Sequence, residues 1–151
     1  MKKLLGLAVV VGVMACHKSP PKTSADASNP GASSATNAIK EFFDAVRAGD
    51  LQAMSLAWGT KEGPTRDHIP PSELEKREVI LQCYFNHDSY RIVGPAPDPS
   101  GGHAYRVELV RSGKKRTTTV STIEGPSHRW YVQSLDIAAV RDFCGSEPAN
   151  P

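Results

Sequence analysis

Hydrophobic positions follow two different rhythms along this chain, and the change from one to the other divides it. Ile39, Phe42, Phe43 and Val46 recur at i, i+3, i+4 and i+7, the spacing that lines side chains along one face of an α-helix. Asn37 stands ahead of that stripe as a natural cap, and Gly49 stands behind it as a stop. Asp50 then caps a second short helix carrying Leu51, Met54, Ala57 and Trp58. Ser72 and Glu75 have capping-box spacing after Pro70-Pro71, which predicts a third helix through Leu74, Arg77, Leu81, Tyr84 and Phe85. From residue 89 the rhythm shortens: segments 89–93, 104–111, 115–123 and 129–137 alternate or are β-branched, and Pro/Gly-rich stretches separate them. Ser112-Gly113 predicts a tight hairpin between the second and third strands, and Gly125-Pro126-Ser127 a turn into the fourth. Asp136 is placed to cap a last helical turn over 138–143. Helices first and an antiparallel meander afterwards predict an α+β fold: three N-terminal helices packed on a curved antiparallel sheet of about four strands, with a short C-terminal helical turn.

The dense apolar pattern runs over 38–145, enough for one core and too little for two. Ahead of it, Lys2 and Lys3 precede an apolar run over 4–13 and then Val13-Met14-Ala15-Cys16. That run is too short to span a bilayer as a helix, so 1–15 reads as an export leader. Val13-Met14-Ala15-Cys16 resembles the lipobox of bacterial lipoproteins, with Met14 a less usual choice at its position. The resemblance implies a lipidated Cys16 as mature N-terminus and a membrane-anchored protein of the bacterial cell envelope, facing the periplasm or the exterior. Residues 16–37 lack any large apolar side chain and read as the lipidated Cys with a disordered tether; 146–151 reads as a flexible tail. Eighteen basic residues face sixteen acidic ones, and Lys2 and Lys3 supply the whole excess of +2. A mature chain without net charge carries no electrostatic footprint for nucleic acid, and the anchor rather than charge is expected to hold it at the membrane.

The run from Phe42 to Met54, a helix broken at Gly49-Asp50 and restarted at once, resembles the entry to the nuclear-transport-factor-two-like superfamily, whose α+β cone also includes the ketosteroid isomerases. The resemblance implies a pocket between sheet and helices. Members of that superfamily include enzymes, ligand binders and adaptors, so the fold leaves function open. No family motif marks acid, His or Tyr positions here, and none is carried over.

With Cys16 lipidated, Cys83 and Cys144 remain, and an exported compartment permits a disulfide between them. A buried thiol pair or a reactive nucleophile is the alternative, although neither Cys has a CxxC partner or a nearby cationic trap. His68, His87, His103 and His128 are scattered without metal-ligand spacing, and Gly101-Gly102 lacks the Lys-Ser/Thr of a phosphate loop, so no cofactor is expected. His87 beside Asp88 is the best acid/base pair, but neighbours in a strand point to opposite faces; packing for His87 and capping for Asn86 or Asp88 is the stronger reading. The cations Arg111, Lys114, Lys115 and Arg116 at the hairpin read as a solvated tip that keeps strand edges from pairing, ahead of a site for anionic lipid.

Phe42, Phe43, Trp58, Leu81 and Trp130 are predicted to converge in the interior, and Tyr105 joins them as a candidate for the rim of a pocket. The expected function is a non-enzymatic binding or accessory domain for a small hydrophobic ligand or an envelope partner. A small pocket enzyme of isomerase or dehydratase type without redox cofactor is the alternative, and a scaffold subunit using the outer sheet face is a third. A buried His or carboxylate of shifted pKa in a pocket favours the enzyme, a dry aromatic pocket the binder, and an exposed apolar sheet face the scaffold.

Overall fold

A computed structural model describes residues 29–98 and 102–145. The leader, Cys16, most of the tether and the tail at 146–151 lie outside the described residues. The chain is α+β, with helices and a four-stranded antiparallel sheet joined by a second sheet of two short strands. Among the described residues no helix is long and apolar enough to cross a membrane.

Helix α1 spans Ala35–Ala48 and starts earlier than the apolar stripe suggests. Ser34 is its cap, accepting a hydrogen bond from the Asn37 backbone N–H at 3.2 Å, while the Asn37 side chain donates to Ser33. Cap-forming residues stand in a row there, and the helix-favouring Ala35 and Ala38 let it begin at the first of them that fits. Gly49 ends it in the left-handed conformation at φ 68°, which an L side chain adopts only with strain. Asp50 caps α2 (Leu51–Ala57) through its side chain, 2.9 Å from the Ala53 N–H. The expected capping box at Ser72 is not used: α3 spans Pro71–Phe85 with Pro71 in its first turn, where a missing N–H costs nothing.

Between α2 and α3 the chain forms the ribbon of β1 (Gly59–Thr60) and β2 (Gly63–Pro64), followed by a 3-10 turn at Thr65–Asp67. The main sheet has order β3-β4-β5-β6, with β3 at Ser89–Ala96, β4 at His103–Arg111, β5 at Lys114–Glu124 and β6 at Trp130–Leu135. β3 outruns its expected end because a bulge between Ile92 and Gly94 re-aims the strand. Ser112 and Gly113 both take positive φ and close the β4–β5 hairpin. Asp136 accepts from the Ala138 N–H and caps a closing 3-10 segment at Ile137–Phe143.

The segment at 29–37, expected as tether, belongs to the domain. Ala32 is fully buried and exchanges both backbone hydrogen bonds with Trp130, at 2.8 and 2.9 Å. The Arg129 guanidinium donates to the Gly31 and Pro30 carbonyls, and the Tyr131 hydroxyl donates to Pro30. Apolar patterning could not show this, because the segment is held through its backbone. It covers the outer edge of β6 together with Trp58, which bridges to Val132, so that edge is not left to pair with another chain.

The core lies where α1, α2, α3 and the closing segment meet the sheet: Ile39, Phe42, Phe43, Val46, Met54, Leu81, Phe85, Val140 and Phe143 against Val107, Leu109, Val120 and Val132. Phe43 is its hub, edge-on to Phe42 at 5.6 Å and to Phe85 at 6.1 Å and stacked on Tyr90 at 5.4 Å. Cys83 and Cys144 form a disulfide with Cα atoms 5.1 Å apart, tying the end of α3 to the C-terminal segment across a sequence separation of 61.

Candidate functional site

The expected pocket residues divide. Phe42, Phe43 and Leu81 are buried in the core, and Trp58 and Tyr105 pack on its margin. Trp130 stands outside that cluster, edge-on to His103 at 5.0 Å. The Trp58 indole N–H points to the Gln133 carbonyl at 3.4 Å, and the Trp58 carbonyl accepts from Thr65. Trp58 thus joins the ribbon to β6. Tyr131, buried beside it, explains the glycines of this region: a Cβ on Gly59 would lie 2.5 Å from the Gly63 carbonyl oxygen and 2.7 Å from the Tyr131 ring.

His87 and Asp88 do not form a catalytic pair. The Asp88 carboxylate accepts the Ser112 N–H at 2.7 Å and so holds the β4–β5 hairpin, while Asn86 closes α3 with its backbone N–H on the Gln82 carbonyl. His87 is buried with Nδ1 2.8 Å from the Phe85 carbonyl, its ring edge-on to Phe43 and Tyr90. That contact assigns the proton to Nδ1 and leaves Nε2 as an acceptor with no hydrogen-bond partner among the described residues. Burial lowers the His87 pKa, so its ring is neutral, and the same burial pushes the Tyr90 hydroxyl up to about 12.

The β4–β5 hairpin tip is solvated as expected, with Lys114 and Lys115 exposed, and its cations also make bonds within the chain. Arg111 donates to the carbonyls of Cys83 at 2.9 Å and Phe143 at 2.6 Å, joining the same two segments as the disulfide. Arg116 holds Asp142 through both carboxylate oxygens, Lys114 lies 3.9 Å from that carboxylate, and Lys115 pairs with Glu108 at 3.4 Å. The tip is therefore a clamp on the C-terminal segment. Among the described residues no three His, Cys, Asp or Glu side chains converge as a metal site.

A cavity of about 450 Å³ opens between α2, the first 3-10 turn and α3, and none of the six expected pocket residues lines it. Leu51, Pro71 and Leu74 form its apolar wall; Gln52, Ser55, Arg66, Glu75 and Glu78 supply the polar groups. The volume falls in the range of small-molecule sites. Glu78 is its unusual member. It retains 3 % exposure, and its Oε1 has no hydrogen-bond partner among the described residues. Burial, reinforced by the charge of Glu75, pushes its pKa up to about 7.

Glu78 escaped the sequence reading because the stripe of α3 is rotated from the expected one. The buried positions are Leu74, Glu78, Leu81 and Phe85, while Arg77 points outward and pairs with Glu73. A signal was present: spacings of four, three and four place a carboxylate in an otherwise apolar seam. A charge in such a seam needs a partner or a proton, and among the described residues Glu78 has no ion-pair partner. No family model matches the chain, and neither does any curated protein or solved structure.

Proposed function

We propose that this chain is a lipid-anchored bacterial envelope protein whose single domain is a non-enzymatic binding module, holding a small ligand in the cavity between α2 and α3. The observation that carries the reading is Glu78, a buried carboxyl with an unsatisfied oxygen beside an apolar wall in a cavity of ligand size. Leaving such a group unpaired costs folding free energy, and a ligand that supplies the missing partner recovers it. The expectation of a small hydrophobic ligand or an envelope partner shifts accordingly to a small amphipathic ligand. The nuclear-transport-factor-two-like cone, with three helices over a curved sheet, remains the proposed fold type; the helix pair broken at Gly49-Asp50 and the antiparallel strand order support it. The anchor is supported by Val13-Met14-Ala15-Cys16. Cys16→Ala should release the domain or leave an unprocessed precursor, and membrane attachment and processing like the parent's would refute lipidation.

The cavity is tested by native mass spectrometry of protein extracted from its own membrane. The parent should retain a small molecule, and Gln52→Trp, which places a bulky ring at the mouth from an exposed position, should lose it while keeping the parent's circular dichroism. No retained molecule, or equal retention by both proteins, would refute the assignment. A second reading is favoured by the same carboxyl: a group of pKa about 7 exchanges protons readily at neutral pH, as an isomerase or dehydratase requires. Such an enzyme would exchange substrate C–H for deuterium in D₂O at a rate that titrates near pH 7 and vanishes in Glu78→Gln.

A further inference from the structure

We infer that the ligand of the α2–α3 cavity is an organic cation: an ammonium group on a compact apolar body, its N–H donors meeting Glu78 and Glu75 while the body rests on Leu51, Leu74 and Pro71. The inference rests on the binding reading above and adds the chemistry of the occupant.

Glu78 and Glu75 lie three residues apart on α3, and neither makes an ion pair or a side-chain hydrogen bond in the described structure. Ser55 already donates its hydroxyl proton to the Gln52 carbonyl at 2.7 Å, so its oxygen is left as an acceptor. Arg66 is the cavity's cation, but its Nε lies 3.9 Å from the Asp67 carboxylate. Arg66 and the Gln52 amide still offer donors, so the imbalance lies in charge: with Glu78 ionised, two carboxylates line the cavity against one guanidinium. An anionic ligand would add to that imbalance, and a neutral alcohol would supply one donor. An alkylammonium supplies three donors and a charge, and hydrogen bonds between ionised partners are about twice as strong as neutral ones.

The titratable groups at the cavity are Glu75 and Glu78 on α3 and Arg66, with its neighbour Asp67, on the 3-10 turn; α2 contributes Leu51, Gln52 and Ser55, none of which titrates. With the Glu78 pKa at about 7, a cation binds the ionised form and must displace a proton at lower pH. Affinity for an amine then falls by about tenfold per unit below pH 7, while affinity for a neutral analogue stays level.

The test is titration calorimetry of the folded domain with benzylamine, benzyl alcohol and benzoate, and with tryptamine, tryptophol and indole-3-acetate. Each amine should bind at least about tenfold tighter than its alcohol at pH 8 and lose most of that preference at pH 5. In Glu78→Gln, checked for folding by circular dichroism, amine affinity should drop by about 10- to 100-fold and alcohol affinity by less than about threefold. Alcohols or carboxylates binding as tightly as amines, or amine affinity unchanged by pH and by Glu78→Gln, would overturn the cation assignment and leave the cavity as a site for another ligand class. If none of the six compounds binds, the binding reading itself falls with it.

Discussion

Glu78→Gln should change how the stability of the domain depends on pH, in a direction that the buried carboxyl dictates. In the folded chain the Glu78 pKa is about 7, against 4.5 for the free side chain. Between those values the native state holds a proton that the unfolded chain has given up, so stability falls as pH rises through that window and the cost is complete above about pH 7. The full displacement corresponds to about 3 kcal/mol; solvent entering the cavity screens the charge, and about 2 kcal/mol is the value to expect. Glutamine keeps the shape and cannot titrate. Urea unfolding of both proteins at pH 5 and pH 8 gives four free energies, and the variant should gain about 2 kcal/mol on the parent between the two pH values. His87 works in the opposite sense, because its pKa is lowered by burial and its stabilisation is lost as pH falls below 6.5. That contribution is common to both proteins and cancels in the double difference. A parent-to-variant difference that is the same at pH 5 and pH 8 would refute the reasoning, since it would mean that Glu78 is hydrated or paired in solution.

Other consequences follow from the packing. Replacing Cys83 and Cys144 together by Ser should destabilise the domain by up to about 4 kcal/mol, the loop-closure value for their separation, read from urea midpoints with and without reductant; an unchanged midpoint would exclude the bridge. Gly59→Ala places a methyl group against the Gly63 carbonyl and the Tyr131 ring and should cost about 2 to 3 kcal/mol, whereas Gly113→Ala meets no atom within 4 Å and pays only the strain of its positive φ, about 1 kcal/mol; equal losses at the two sites would contradict the close approach at Gly59. Arg111→Ala removes the two hydrogen bonds by which that side chain joins α3 to the C-terminal segment and should cost about 2 kcal/mol, with amide exchange speeding up first over Ile137–Phe143; an unaltered exchange pattern there would show that the disulfide, the Arg116–Asp142 pair and core packing hold the segment without Arg111.

Local chemistry was legible in the amino-acid order. Gly49-Asp50 ends one helix and caps the next, Ser112-Gly113 closes its hairpin, and Asp136 caps the last turn, because each depends on the backbone preferences of one or two residues and on bonds to near neighbours. The apolar face of α1 followed as directly from spacing, whereas the count of cysteines left a disulfide and a free thiol pair both open until Cys83 and Cys144 were seen to be joined. Other features were settled only by tertiary packing. Residues 29–34 join the domain through hydrogen bonds to Arg129, Trp130 and Tyr131, about a hundred positions away, and no hydrophobic pattern marks such contacts. The stripe of α3 was expected at the wrong rotation because Val79 and Ile80 are apolar yet exposed while Glu78 is charged yet buried; the packing of α1, α2 and the closing segment against the helix decides which face turns inward. The cavity is of the same kind. It is space left between two helices and a turn, a property of how elements meet, and the residues that line it carry its chemistry without announcing its position.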